Sequence, residues 1–170
     1  MDTIEFIRQA IDATHGQVDD SMVGMDDEQF NCVPAGTANP ISATFLHCLN
    51  SEDFFIQKVL QDKPRLWEAQ GWAAKTGVTT ETPGYGGNWD AYKHLKLAYK
   101  PFLDYQDAVR AATAAYLAKL TPAELDRVAK FPGGDRSVAA MLTLLITHTL
   151  CHAGEIAVLK GIQGVKGLPY

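Results

Sequence analysis

The sequence predicts an all-α fold, a four-helix bundle with a long irregular excursion between its second and third helices. Three observations carry that prediction. Four segments space their apolar residues for helices, no segment shows convincing strand alternation, and a glycine- and proline-rich stretch interrupts the pattern from Asp62 to Asn88. A chain of 170 residues, 46% hydrophobic and 21% charged, is long enough to enclose one sizeable core, so a single domain over residues 1–170 is expected.

The first helix is expected from about Thr3 to about Val23, where Ile4, Ile7, Ile11, Thr14 or His15, and Val18 recur on one face before Gly24 ends it. The turn-forming segment MDDEQFNCVPAGTANP follows. Asn39-Pro40 then supplies a capping residue followed by proline, which places helix two from about Pro40 to about Gln61. Ile41, Phe45, Cys48, Phe55 and Val59 form one stripe on it, and Ala43, Leu46, His47, Asn50 and Phe54 form a second, more polar one. A helix with two such stripes touches more than one neighbour.

The excursion, DKPRLWEAQGWAAKTGVTTETPGYGGN, holds Trp67, Trp72 and Tyr85. A connection of this length is more often functional or partly structured than idle. Its aromatics could cover a pocket, although packing against the bundle is the simpler role for at least two of them. Gly84-Tyr-Gly86-Gly87 lacks a preceding strand and a following lysine, so it reads as loop chemistry and not as a nucleotide site.

Helix three is expected from Asn88 or Asp90 to Leu120, with Tyr92, Leu95, Tyr99, Phe102 and Val109 inward and Pro101 kinking or dividing it. Thr121-Pro122-Ala123-Glu124 has the capping residue, N1 proline and acid of a short capped helix. Phe131-Pro132-Gly133-Gly134 makes a clear break, and the last helix runs from near Ser137 to Gly161.

Fifteen Lys plus Arg against twenty Asp plus Glu leave a net charge of -5, with the basic residues scattered, which argues against a nucleic-acid surface. The N-terminus lacks the basic and apolar regions of a signal peptide, and the window Val138 to Leu150 is too short and too interrupted by Thr and His to span a bilayer. Cys32, Cys48 and Cys151 are an odd number without a CxxC pair, poor material for a disulfide framework. A soluble, cytoplasmic protein without a membrane partner is expected.

The last helix carries the chemistry. His148 and His152 are one turn apart and share a stripe with Leu145, Ile156 and Leu159, so both imidazoles point inward. Two histidines at this spacing form half a divalent-metal site, and His47, halfway along helix two, is the candidate third ligand. The spacing alone is equally compatible with hydrogen-bonded core histidines. Three imidazoles would leave a coordination position open for water or a substrate group. Glu155 is within reach of His152 and could orient its ring, and Ser51, one turn after His47, is a weaker supporting candidate. His15 and His94 read as surface or half-buried, and Cys48 and Cys151 as packing thiols.

With His47 in ISATFLHCLNSEDF and, about a hundred residues on, His148-Thr-Leu-Cys-His152-Ala-Gly154-Glu155-Ile156, the chain resembles the DinB-like (DinB/YfiT) superfamily. The resemblance extends to the helix order, the Leu-Trp-Glu-Ala-Gln-Gly-Trp element and the LKGIQGVKGLP tail. It implies an up-down-down-up bundle, commonly dimeric, in which His47, His148 and His152 bind a divalent metal, often Ni or Zn. Ala153 and Glu155 stand where many members have Arg and Gln. Some relatives are S-transferases using low-molecular-weight thiols, and others are isomerases or hydrolases, so the resemblance implies a scaffold and a metal site more than a reaction.

The function expected from residues and resemblance together is a metal-dependent transferase or hydrolase that activates a thiol or water for attack on a small-molecule substrate. The alternative is a non-catalytic binding module with a structural metal or none. No catalytic residue beyond the metal ligands is assigned.

Overall fold

The computed structural model of the protein describes residues 1–78 and 89–170. Tyr85, the Gly84–Gly87 run and Asn88 lie outside the described residues. The first helix, α1 (Thr3–Met22), starts where the Asp2 carboxylate accepts the Glu5 N–H at 2.8 Å. It buries Ile4, Ile11, Thr14 and Val18, the face expected from the spacing. A single-turn helix, α2 (Asp27–Asn31), opens with a reciprocal capping box between Asp26 and Gln29.

The second long helix begins at Ile41 behind Pro40 and runs as α3 (Ile41–Asp53) into a π-helical turn, Phe54–Val59. The sequence carries no signal for that turn. Two short helices, α4 (Leu66–Ala69) and α5 (Trp72–Thr76), fold part of the excursion back onto the bundle. The buried Asp53 carboxylate accepts the Leu66 and Trp67 N–H groups, each at 2.9 Å, and the Tyr105 hydroxyl at 2.8 Å. Trp67 and Trp72 flank the Tyr105 ring at 5.2 and 5.3 Å between centroids, so these two aromatics take the packing role.

The third long helix starts later than the periodicity predicts. A 3-10 turn spans Trp89–Ala91, and α6 covers Tyr99–Leu117. Between them the Asn31 side-chain amide pairs with Leu97 in both directions, accepting its N–H and donating to its carbonyl, each at 2.8 Å. The Asp27 carboxylate takes the Tyr99 N–H at 2.8 Å. These side chains occupy backbone groups that a continuous helix would need. Tyr92 is buried as expected, but from a loop. Pro101 consequently falls in the first turn of α6, where its missing N–H costs nothing, and neither kinks nor divides the helix.

Thr121 caps α7 (Pro122–Asp126) as its sequence requires. Among the described residues, the one departure from an all-helical reading is a hairpin of two-residue strands, β1 (Val128–Ala129) and β2 (Arg136–Ser137), closed over the Phe131–Gly134 break. Ser137 then caps α8 (Val138–Ile162). Helix α8 packs against α1 and α3, and α3 packs against α6. Asp19 of α1 closes the ring of four by accepting from Gln106 and Arg110 of α6, each at 2.8 Å.

The whole of α8, 25 residues with a mean hydropathy of 1.4 in its most apolar window, is long and apolar enough to cross a membrane by length and composition alone. The central helix of a bundle passes the same test. Its Val138, Met141, Leu142, Leu145, Ile156 and Leu159 are buried here against the other helices.

Candidate metal centre

The packing of α3 against α8 brings His47 opposite two successive turns that carry His148 and His152. The three Nε2 atoms converge: His47 lies 3.0 Å from His148, and His152 lies 3.2 Å from it. One ligand atom from each residue falls within 4.8 Å of the others. Leu145, Ile156 and Leu159 on the same stripe are buried, so the imidazoles stand half-buried at the edge of an apolar layer.

Burial, then the neighbouring His152 and His47, holds the His148 imidazole down to about 3, so this ring is neutral at physiological pH. Its Nδ1 is buried without a hydrogen-bond partner, which leaves Nε2 as its one polar contact among the described residues. His152 has a carboxylate behind it: Nδ1 lies 2.9 Å from Glu155 Oε2. A proton on Nδ1 donated to that carboxylate leaves the Nε2 lone pair directed at the other two rings. Ser51 lines the adjoining cavity with His47 but makes no hydrogen bond to any of the three imidazoles.

These residues fit a divalent ion. Metal–nitrogen bonds of about 2.0–2.1 Å separate neighbouring ligand nitrogens by roughly 2.9 Å in octahedral and 3.4 Å in tetrahedral geometry, and the spacings of 3.0 and 3.2 Å fall within that interval. Neutral imidazole suits Zn and Ni alike.

Two aromatic residues that sequence reasoning did not assign to the site frame it. The Trp89 ring lies 4.6 Å from His47, and Phe55 lies 6.0 Å from His148. Trp89 immediately follows the excursion, where helix three was expected to open, and among the described aromatics of the excursion neither Trp67 nor Trp72 reaches the histidines. The signal for Phe55 was its place two helical turns beyond His47, at the position where the π turn re-aims the side chains.

The remaining candidates separate cleanly. His94 is exposed. His15 is half-buried, with Nε2 3.1 Å from each oxygen of Glu52. All three cysteines are free. Burial, with the Glu52 carboxylate adding to it, pushes the Cys48 thiol up to about 12, so it is a protonated packing group. Cys151, in contrast to the expectation of a packing thiol, is exposed, because its angle on α8 faces away from α1 and α3.

A cavity of about 1110 Å³ opens beside the histidines and is lined by His47 and His148 at one side and by the hairpin residues Phe131 and Arg136 at another. That volume admits a small organic molecule.

The family model of the DinB superfamily matches residues 10–156. Among solved structures, a conserved protein from Enterococcus faecalis is similar with a TM-score of 0.80 at 18% identity, over 95% of this chain and 97% of that one. A DinB-like protein from Bacillus cereus is similar with a TM-score of 0.65 at 17% identity, over 98% of this chain and 96% of that one. At such identities the likeness is one of fold. No curated protein sequence matches the chain. With its helices, its three-histidine group and a family match spanning both histidine-bearing helices, the chain belongs to the DinB superfamily.

Proposed function

We propose that His47, His148 and His152 hold a divalent metal ion, Ni or Zn first, and that the protein is a metal-dependent transferase or hydrolase that activates a thiol or water for attack on a small electrophile. The observation that carries this reading is the convergence of three Nε2 atoms, two of them on residues that line a cavity large enough for a substrate, His47 and His148. A bound ion would supply positive charge that favours the ionised form of a thiol or water at neutral pH. The chain supplies the rest. Three neutral ligands leave the ion's full charge available, Glu155 fixes the ring of His152, and the cavity beside His47 and His148 admits a small-molecule substrate and, for a transferase, a low-molecular-weight thiol.

Elemental analysis of untagged protein tests the site, since a polyhistidine tag would mimic the answer. About one divalent ion per chain in the parent and a large loss in His152→Ala support it. Metal far below one per chain after loading with Zn or Ni would return the histidines to the core and direct attention to a binding module. The reaction is tested by offering the loaded protein a panel of thiols and electrophiles. Neither conjugation nor hydrolysis across that panel would remove the catalytic half of the proposal and leave a structural metal.

We also infer a homodimer in the cytoplasm. Three free cysteines suit a reducing compartment. On α8 the exposed positions Thr143, Thr147, Leu150, Cys151, Gly154 and Val158 form an uncharged face, which a second copy of the chain would cover. Light scattering of the purified protein should return twice the chain mass, and Val158→Lys should return one.

A further inference from the structure

Building on the proposed small-molecule site, we infer that Arg136 is its specificity-determining residue and that the ligand is a carboxylate-bearing molecule with a flat apolar body. The charges around the cavity identify Arg136. Two of its cations are already matched: Lys58 pairs with Asp62 at 2.7 Å, and Arg65 pairs with Glu68. Asp135, the acid next to Arg136 in sequence, is taken by Lys130 at 2.6 Å. The Arg136 side chain has neither a hydrogen bond nor an ion pair among the described residues, yet it lines the cavity. Among the described residues the wall therefore presents one uncompensated positive charge.

The placement of that charge is equally informative. The Arg136 guanidinium lies over the Phe131 ring at 5.7 Å. Phe131 lies 6.0 Å from Phe55, and Phe55 lies 6.0 Å from His148. An unbroken run of ring contacts thus leads from the imidazoles to the guanidinium along one wall. A cation–π contact with Phe131 uses none of the guanidinium N–H groups and leaves them for a planar anion, which a carboxylate meets with two parallel hydrogen bonds. A ligand lying on Phe55 and Phe131 would be held by its carboxylate at the Arg136 end and would present its other end to the histidines. Arg136 is in the hairpin, immediately before the Ser137 cap, so its backbone is fixed by the β1–β2 pairing and by the start of α8.

The test is calorimetric titration of metal-loaded and chelator-treated protein with 3-phenylpropanoate and with its uncharged amide, 3-phenylpropanamide. The acid should bind about tenfold tighter than the amide in both preparations, as a charge-assisted bidentate contact provides. Arg136→Gln should abolish that preference, and Arg136→Lys should restore part of it, while metal content stays unchanged in both variants. An equal affinity for acid and amide in the parent, or a preference that survives Arg136→Gln, overturns the inference. So does a preference that vanishes with the metal but persists in Arg136→Gln, because the carboxylate would then sit at the histidines. The chelator-treated arm separates this outcome from the metal-site proposal: a protein that binds no metal can still show the Arg136-dependent preference, and a metal protein can lack it.

Discussion

Helix α3 carries two polar constellations on different sides, and they are chemically opposite. Toward α1 and α6, the buried Glu52 carboxylate receives His15 Nε2 at 3.1 Å and the Thr113 hydroxyl at 2.6 Å. Toward α8, three imidazoles turn the same atom type on one another at 3.0 and 3.2 Å, and His148 Nδ1 is buried with no partner. The first set joins an acceptor to donors from two other helices and is complete within the protein. In the second, three nitrogen lone pairs and the protons available to them cannot all be satisfied by each other. A cation at the centre resolves the one and would only disrupt the other. Buried polar groups are therefore informative by how their donors and acceptors balance, and not by burial alone.

The largest effect expected from breaking this contrast is at the histidines. With free metal at about a thousand times the dissociation constant, the parent gains about 4 kcal/mol of stability, roughly 10 °C in Tm, and His152→Ala should gain almost none. Scanning calorimetry with and without added Zn reads both values. Glu52→Ala should do the reverse. It strips a paired carboxylate from between three helices, which costs about 2–3 kcal/mol in urea unfolding while the metal content is unchanged. A loss of metal in that variant would show that the two constellations are one unit.

A smaller effect is expected from Glu155. Replacing it with Ala removes the acceptor behind His152 and should weaken metal binding by about 10- to 100-fold in a competition titration. Glu155→Gln keeps an acceptor oxygen and should lose less. Finally, pH separates the metal-free from the loaded state. His148 is held down to about 3 in the folded protein, below its ordinary value of 6.5. The unfolded chain therefore takes up a proton that the folded chain refuses. The stability of metal-free protein should be highest above 6.5 on this account, decline as the pH falls through that value, and continue to decline toward 3. Urea midpoints measured across that range check the sign.

The four long helices were legible because each carries a stripe and local stop signals. Ser137 and Thr121 cap where their sequences place them, and the Phe131–Gly134 break is the tip of the hairpin. The late start of α6 was not legible, since the deciding partner of Leu97 is Asn31, sixty-six residues earlier. The three histidines that meet between α3 and α8 were legible for the opposite reason: His148 and His152 announce themselves by helical spacing, and His47 is the histidine at the middle of another core helix. Trp89 escaped notice because it was read at the start of helix three, whereas the late start of α6 leaves it in a separate 3-10 turn beside His47. Arg136 escaped because an unpaired charge is visible only when its neighbours' partners are known.

The π turn at Phe54–Val59 has a further consequence, for how the chain tolerates changes in its length. A π turn accommodates one residue more than the α turn it replaces, so it stores an insertion inside a helix whose remainder keeps ordinary geometry. Deleting one residue there would let the segment relax to α and leave everything after it in nearly its present register relative to His47, whereas the same deletion in an ordinary α turn would rotate it by about 100°. Asp62 and Arg65, which line the cavity beyond the turn, would keep their places on its wall, and the three histidines, two of them on another helix, would stay together. The turn is thus the place in this helix where one residue can be lost with both the cavity wall and the histidine group preserved.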